Sequence, residues 1–249
     1  MTKHFNEITK KMEILGRRYD LSKVFNDLLT MSICAYHQTN IQSGLKEKDE
    51  ANEQLYFQAI KGYSKDDLIT FGEILGELKL NVLDDPYSDI LGEYFMQHIT
   101  KGQNGQYFTP APICQMMALM QGDNSDAQSL KRVFDPACGS GRMLMSHAKL
   151  NPRNHYYGAD NSNTCAKMAT LNFLLNGLIG EIAWMNSLSN EWYGGWHINT
   201  NGIGILPIEK EQSVVWINPS LSKSSTAKID TTPIENPSER IYQKQLTFF

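Results

Sequence analysis

Apolar residues in the first hundred positions recur at intervals that suit amphipathic helices. In DLSKVFNDLLTMSICAYHQ, residues 20–38, the apolar positions follow the i, i+3, i+4, i+7 spacing of one buried helix face. These positions are Leu21, Val24, Phe25, Leu28, Leu29, Ile33 and Cys34. Further helices are predicted over residues 52–61, 65–79 and 88–100. The pattern therefore predicts an N-terminal helical domain, residues 1–101.

The pattern changes after TKGQNGQ, residues 100–106, where two glycines among polar residues mark a candidate domain boundary. Short apolar runs then alternate with helical segments, which favours an α/β fold with a parallel sheet and right-handed crossovers. The predicted strands are RVFD (132–135), HYYGAD (155–160), EIAWM (181–185) and SVVWI (213–217), and the predicted helices cover 112–120, 141–150 and 162–176. This core is assigned to residues 102–221, and residues 222–249 form an extended C-terminal tail. If the sheet ends at its fourth strand, the tail or another subunit must cover a parallel edge, or the chain is truncated.

Composition narrows the class of protein. The 23 basic and 27 acidic residues give a net charge of −4, whereas a dedicated nucleic-acid binder is usually basic. Any contact with DNA is therefore expected to come from a partner or from a local patch. The densest basic cluster is Lys10, Lys11, Arg17 and Arg18, which a solvated helix face explains equally well.

The cysteines and the hydropathy indicate a cytoplasmic protein without a metal site. The four cysteines lie far apart without a CxxC pair, which is typical of reduced thiols and argues against bound zinc. The N-terminus does not resemble a signal peptide, and no run reaches the roughly 18–20 apolar residues that span a bilayer. We therefore expect no membrane contact.

The strongest chemical signal is VFDPACGSGRML, residues 133–144, in which a strand, a Gly139-x-Gly141 turn and a helix follow one another. Glycines let a backbone approach a ligand closely, and a helix N-terminus offers free N–H groups. No Gly-Lys-Ser/Thr follows, which argues against a phosphate-binding P-loop, and Leu144 stands in place of the third glycine of the dinucleotide fingerprint, which argues against NAD. An ordinary strand-to-helix turn remains the alternative.

Two linked motifs resemble one family of enzymes. DPACGSG, residues 135–141, resembles the S-adenosylmethionine-binding loop of the N6-adenine DNA methyltransferases, particularly the M subunits of type I restriction-modification systems, and GQYFTP, residues 105–110, resembles the element that precedes that loop. The resemblance covers about residues 88–221 well and the first 87 more loosely. It implies a Rossmann-like S-adenosylmethionine-dependent methyltransferase core after a helical domain, with methylation of adenine N6 in DNA. It also implies a specificity subunit or self-association.

The resemblance also assigns the cofactor-binding residues. Phe108 and Thr109 would enclose the methionine portion of S-adenosylmethionine, with Asp135 and Gly139 lining the same pocket and Gly141 completing the turn. The aromatic residues of GQYFTP are alternatively packing residues at the domain junction.

Two polar residues follow later strands. Asp160 ends the second predicted strand, where a carboxylate can accept hydrogen bonds from ribose hydroxyls. It could also cap the next helix, or do both. Asn186 follows the third strand, where the family often has an Asp that contacts the cofactor's adenine; a plain turn residue is equally compatible.

The catalytic loop is predicted in VVWINPSLSKSS, residues 214–225. By resemblance, the Asn218 side chain and the Pro219 carbonyl accept the hydrogens of the adenine amino group, so that the nitrogen lone pair turns toward the methyl group. The family continues with Pro and an aromatic residue that stacks on the flipped base, whereas this chain has Ser220 and Leu221. Leu221 offers apolar contact without a π face, so we expect weakened base capture and impaired or lost activity.

Other functions stay open. Only 28 residues follow Leu221, fewer than the family's usual remainder, and no target-recognition domain is visible. The chain could instead be a non-catalytic methyltransferase-like protein that binds DNA or a partner in restriction, anti-restriction or mobile-element systems. A methyltransferase for a protein glutamine is a third possibility, which GQYFTP and the helical N-terminus argue against.

The last residues, QLTFF, resemble the short peptides that dock onto the bacterial sliding clamp. The residues concerned are Gln245, Leu246, Phe248 and Phe249. A packed or frayed hydrophobic terminus is the alternative.

Overall fold

A computed structural model describes residues 2–37, 49–100, 108–121, 130–200 and 202–216, and the backbone of 246–248. Eight α-helices and six strands are assigned within these ranges. The helices are α1 (Lys3–Gly16), α2 (Leu21–Ala35), α3 (Glu50–Ile60), α4 (Lys65–Asp84), α5 (Ile90–Tyr94), α6 (Ala111–Met120), α7 (Arg142–Ala148) and α8 (Asn163–Leu175), with a π-helical turn at Phe95–Thr100 and a 3-10 turn at Lys210–Gln212. The strands are β1 (Arg132–Asp135), β2 (His155–Asp160), β3 (Ile179–Asn186), β4 (Glu191–Ile198), β5 (Ile205–Pro207) and β6 (Leu246–Phe248).

The helical prediction for the first hundred residues is confirmed, with changed ends. The segment predicted as one helix over 88–100 is α5 followed by the π-helical turn. α4 begins with a capping box in which Ser64 and Asp67 each accept a hydrogen bond from the other's backbone N–H. The Asp67 side chain is completely buried and also pairs with Arg18, which fixes the chain between α1 and α2 against the start of α4.

The α/β class is confirmed, but the sheet is mixed. Its order is β5-β4-β3-β2-β1-β6. β3, β2, β1 and β6 are parallel neighbours, whereas β4 and β5 add to the β3 side in antiparallel orientation. The sequence predicted β1, β2 and β3 and missed the antiparallel pair.

The strand predicted over 213–217 is wrong for residues 213–216, which form no strand and bend at 214–216; residue 217 lies outside the described ranges. The buried carboxylate of Glu181 on β3 accepts a hydrogen bond from the Val214 amide over 2.8 Å. The Ser213 hydroxyl donates to the same carboxylate and accepts from the Trp216 amide over 2.9 Å. Because side chains take up these backbone groups, the segment does not enter a strand ladder.

β6 occupies the edge next to β1. Arg132 pairs with Leu246 and Phe134 with Phe248 in parallel register. The end of the tail therefore covers the edge of β1, whereas the uncovered edge in the prediction belonged to a fourth strand that residues 213–216 do not form. Residues 217–245, which include most of the predicted tail, lie outside the described part of the chain.

One apolar cluster connects the helical region with the sheet. Met12, Leu28 and Leu78 belong to it together with Leu144 and Phe173 of the predicted core. α2 packs on α8, where Lys167 donates a hydrogen bond to the Thr30 hydroxyl over 2.9 Å. The domain boundary at 101/102 stays a prediction. Within the described ranges, no helix combines the length and the hydrophobicity needed to cross a membrane.

Candidate functional site

The loop after β1 has the geometry that its glycines predict. Gly139 and Gly141 have φ values of +56° and +82°, a region that side chains rarely adopt. The Cys138 amide donates a hydrogen bond to the Ala159 carbonyl over 2.9 Å, which ties the loop to β2. α7 then begins at Arg142. The loop is thus a tightly folded turn at the carboxyl ends of the parallel strands.

Asp160 joins the end of β2 to this loop. Its Oδ2 accepts a hydrogen bond from the Gly139 amide over 2.9 Å, and its Oδ1 accepts one from the Ser162 amide over 2.8 Å. The cap of α8 itself is Ser162, whose hydroxyl accepts from the Cys165 amide. Asp160 therefore supports the loop and the entry to α8 without being the capping residue, and its oxygens retain lone pairs for a ligand.

Of the two carboxylates at the strand ends, Asp135 is buried and Asp160 is partly buried. Burial raises the pKa of the Asp160 carboxyl above its ordinary value. Burial raises the pKa of Asp135 as well, and the negative charge of Asp160 adds to that effect, while a hydrogen bond from the Ala137 amide opposes it. Holding two negative charges close together with little access to solvent is unfavourable, and a ligand that donates hydrogen bonds to these carboxylates would offset that cost.

Phe108 lies directly on Gly139. A Cβ atom placed on Gly139 would come within 2.9 Å of the Phe108 ring. The same ring stacks on Phe95, with ring centroids 5.9 Å apart and an angle of 17° between the planes. Both interpretations of Phe108 are therefore compatible with the structure, since one ring lines the loop and also packs at the junction with the helical region.

A pocket with a volume of about 130 Å³ lies between the Phe108-Thr109 segment and the loop. Four predicted cofactor-binding residues come together in its wall, Phe108, Thr109, Asp135 and Gly139, with Cys114, Ala137, Cys138, Ser140, Arg142 and Met143 completing it. Sites that enclose a whole small molecule typically measure about 300–1,000 Å³. This pocket can therefore hold only one portion of such a ligand.

Asn186 and Asp160 lie outside that pocket wall, on the neighbouring strand ends. The Asn186 Oδ1 accepts hydrogen bonds from the Leu188 amide over 3.0 Å and the Ser189 amide over 3.2 Å. These contacts match the turn-residue interpretation of Asn186. Its side-chain amide group carries the donors that a ligand could use.

Several residues of the site were not predicted. Asp89, at the start of α5, accepts hydrogen bonds from Ser140 and Arg142 of the loop and from Asn172 of α8. In the sequence, an Asp just before ILGEY indicates only a helix cap. Trp184 pairs with Asp160 in the sheet register, and its indole N–H donates to the Asn161 carbonyl over 3.1 Å.

The predicted catalytic residues Asn218, Pro219 and Leu221 lie outside the described residues, as do Gln245 and Phe249 of the tail. The chain leading to Asn218 is described as far as Trp216. The indole N–H of Trp216 donates a hydrogen bond to the Asn190 carbonyl over 3.1 Å, and the Trp216 ring packs on the cluster of Ala159, Ala183 and Met185.

The cysteines have no catalytic geometry. All four are free and buried, and burial raises the pKa of Cys34 to about 11 and that of Cys165 to about 12. Buried thiols with raised pKa values are poor nucleophiles. The described ranges contain no group of three or more acidic, His or Cys side chains that could hold a metal ion.

Comparison with protein families decides the affiliation. Residues 81–242 match the family model of the N-6 DNA Methylase. The chain belongs to this family. The match includes GQYFTP, the Asp135–Gly141 loop, Asp160 and the Asn218-Pro219 pair, so the predicted family is confirmed.

The N-6 DNA methylase chain resembles two curated relatives from Methanocaldococcus jannaschii. It is 31% identical over 105 residues to the type I restriction enzyme MjaVIII methylase subunit, covering 41% of this chain and 17% of the relative. It is 25% identical over 138 residues to the MjaVII methylase subunit, covering 53% of this chain and 22% of that relative. The matched region thus spans about a fifth of the length of either relative.

Two solved structures resemble the chain more distantly. The methyltransferase subunit of a type I restriction-modification system from Streptococcus thermophilus has a TM-score of 0.41 at 13% identity, covering 70% of this chain and 56% of the other. A protein from Listeria monocytogenes described as a class I S-adenosylmethionine-dependent methyltransferase has a TM-score of 0.38 at 16% identity, covering 72% and 51%.

Proposed function

We propose that the chain binds S-adenosylmethionine and transfers its methyl group to adenine N6 in DNA, at a reduced rate. The main support is the convergence of Phe108, Thr109, Asp135 and Gly139 around one pocket, within a region that matches the N-6 DNA methylase family. The names of the curated relatives, methylase subunits of type I restriction enzymes, agree with DNA as the substrate.

The cofactor would lie across the carboxyl ends of β1, β2 and β3. The 130 Å³ pocket suits its methionine portion, with Phe108 on one side and the Gly139–Gly141 turn on the other. Asp160, at the end of β2, would accept hydrogen bonds from the ribose hydroxyls. Asn186 would contact the adenine through its side-chain amide group, because its oxygen is already engaged by the turn.

When bound, S-adenosylmethionine supplies an electrophilic methyl group. The side chain of Asn218 and the carbonyl of Pro219 would accept the two hydrogens of the adenine amino group and so aim its lone pair at that methyl. Leu221 would contact the base where the family has an aromatic residue. Extracting a base costs a few kcal/mol, and stacking on an aromatic residue would return roughly 1–3 kcal/mol of that cost. Because Leu221 does not supply this stacking, slow transfer is expected.

Partners would supply sequence recognition. A specificity subunit or a second copy of the chain is expected to bring the DNA, because the chain is acidic overall. Docking of the tail onto a sliding clamp would require Leu246–Phe248 to leave the sheet, since their backbone pairs with β1. A cytoplasmic location follows from this function.

Transfer of radiolabelled methyl groups from S-adenosylmethionine to adenine-containing single-stranded DNA tests this function. Single strands remove most of the cost of base extraction. We expect weak labelling at N6 by the wild type, none by Asn218→Ala and faster labelling by Leu221→Tyr, which restores the π face. Leu188→Tyr, which adds the same ring at a fully exposed leucine, is the matched control.

The non-catalytic alternative is favoured by the Ser220-Leu221 pair. Its signature is cofactor binding without labelling, in the wild type and in Leu221→Tyr alike. That result would assign the chain to binding of DNA or a partner.

A further inference from the structure

The carboxylate of Asp89 lies where the start of α5 meets the loop after β1. Its Oδ1 accepts hydrogen bonds from the Gly92 amide over 2.8 Å and from Asn172 Nδ2 over 2.9 Å. Its Oδ2 accepts from Arg142 Nε over 2.8 Å and from the Ser140 hydroxyl over 2.5 Å. The side chain is only 3% exposed. One buried charge from the helical region thus binds the loop at two positions.

The partners of Asp89 extend this network to both walls of the cofactor pocket. Arg142 Nη1 donates to the carbonyl of Thr109, the neighbour of Phe108, over 3.3 Å. Asn172 Nδ2 also donates to the Ser140 carbonyl over 2.9 Å. The network therefore sets the separation of the two segments between which the methionine portion is proposed to bind.

Packing alone does not hold Arg142 in place. Arg142 also borders a second cavity of about 370 Å³, and Asp89, Glu93, Ser146 and Lys149 contribute to its wall. The guanidinium has room to move into this space. Its position therefore depends on its polar contacts, of which the charge-assisted hydrogen bond from Nε to Asp89 is shorter, at 2.8 Å, than the contact of Nη2 with the half-exposed Glu93, at 3.4 Å.

We propose that Asp89 is a positioning residue that fixes the Gly139–Arg142 loop and the Phe108-Thr109 segment in the geometry that binds S-adenosylmethionine. This inference rests on the proposed use of that cofactor. Asp89 acts from outside the pocket, through Ser140 and Arg142, and links cofactor affinity to the docking of the helical region.

Asp89→Asn is the direct test, because an asparagine still caps α5 while losing the negative charge. We expect calorimetric titration to show S-adenosylmethionine binding weakened by at least about tenfold, as for the loss of a hydrogen bond to a charged group. Asp67→Asn is the matched control. Asp67 is likewise buried, pairs with an arginine and lies at a helix N-terminus, but far from the loop. The Asp67→Asn variant should have a lower thermal stability than the wild type and the same affinity for the cofactor.

Hydrogen exchange gives a readout that needs no cofactor. Asp89→Asn should speed exchange of the amides from Gly139 to Arg142, and Asp67→Asn should not. Ser140→Ala removes one of the bonds to Asp89 without altering a buried charge, and it should show a smaller change of the same kind if Asp89→Asn does not fold.

The outcomes separate the two proposals. If the wild type binds S-adenosylmethionine and Asp89→Asn binds equally well with unchanged exchange, the positioning role is wrong and the proposed function stands. If the wild type does not bind the cofactor, the proposed function fails and this role fails with it.

Discussion

The backbone amide of Gly139 donates a hydrogen bond to the Asp160 carboxylate over 2.9 Å, across a gap of 21 residues in the sequence. The acid that is proposed to bind the ribose therefore also fixes the turn that is proposed to bind the methionine portion. Because both carboxylate oxygens also accept backbone N–H groups, Asp160 is held in one orientation before a ligand arrives. Such preorganisation reduces the entropic cost of binding.

Gly139→Ala should damage the cofactor site more than its backbone strain alone explains. The positive φ costs about 1–2 kcal/mol for a residue with a Cβ, and that Cβ would also push on the Phe108 ring. Gly177→Ala is the control, since its φ is +67° and the added atom meets open space. Urea unfolding should show both variants destabilised, whereas titration should show cofactor affinity lost in Gly139→Ala alone. Equal affinities in the two variants would contradict the role of Phe108.

Glu181→Gln should slow methyl transfer and leave cofactor affinity close to that of the wild type. Glu181 is fully buried and holds the 213–216 bend that leads to Asn218. Loss of its charge-assisted hydrogen bonds should also lower the free energy of unfolding by about 1–3 kcal/mol. Glu209→Gln, at an exposed cap, is the control and should change neither rate nor affinity. A parallel fall in affinity would show that the bend also supports the cofactor pocket.

The stability of the helical region should fall as pH rises above about 6.5, the ordinary pKa of a histidine. His4 lies between Glu77 and Asp84, with ring nitrogens 2.7 and 2.8 Å from their oxygens. The hydrogen bond to Glu77, followed by that to Asp84, raises the pKa of His4. The contribution of protonated His4 to the stability of the folded state is complete below the ordinary pKa of about 6.5. It is lost as pH rises through the raised pKa of the folded protein.

Urea unfolding of the wild type and His4→Gln across this pH range checks the sign. Below about pH 6.5 the wild type should be more stable than His4→Gln, and the difference in stability between the two proteins should shrink as pH rises. A difference that grows with pH would contradict the charged state assigned to His4.

Deleting residues 246–249 should destabilise the core and weaken cofactor binding. β6 pairs with β1, and β1 leads directly into the Asp135–Gly141 loop. Thr247→Val, which keeps the backbone and suits a strand, is the control. If the deletion leaves stability and affinity intact but abolishes binding to a purified sliding clamp, the tail is a docking peptide rather than a strand.

Local signals made β1 and β2 predictable. RVFD and HYYGAD are short apolar runs with turn residues after them, and both strands have the predicted bounds. EWYGGWHI, which forms β4, was missed because two glycines in a strand normally indicate a break. In the structure Gly195 leaves room for the ring of Trp192 and pairs with Ala183 of β3. The need for a glycine at this position comes from packing and strand pairing in the folded sheet. It cannot be recognised from a short stretch of sequence.

The same distinction applies to the candidate site. DPACGSG and GQYFTP pointed to four residues of the pocket wall, because each motif is a short, continuous run that resembles a family element and can be recognised locally. The bend at 213–216 and the role of Asp89 were not predictable. The acceptor for the bend lies 33 residues before Val214, and Asp89 meets Ser140 across 51 residues.

Calorimetric titration of S-adenosylmethionine into the purified chain tests the central claim most directly. We predict binding of one molecule per chain, lost in Asp160→Ala and retained in Asp20→Ala, which removes the carboxylate that caps α2. A wild-type chain that binds no S-adenosylmethionine would contradict the account, and the chain would then be better described as a methyltransferase-like binding protein.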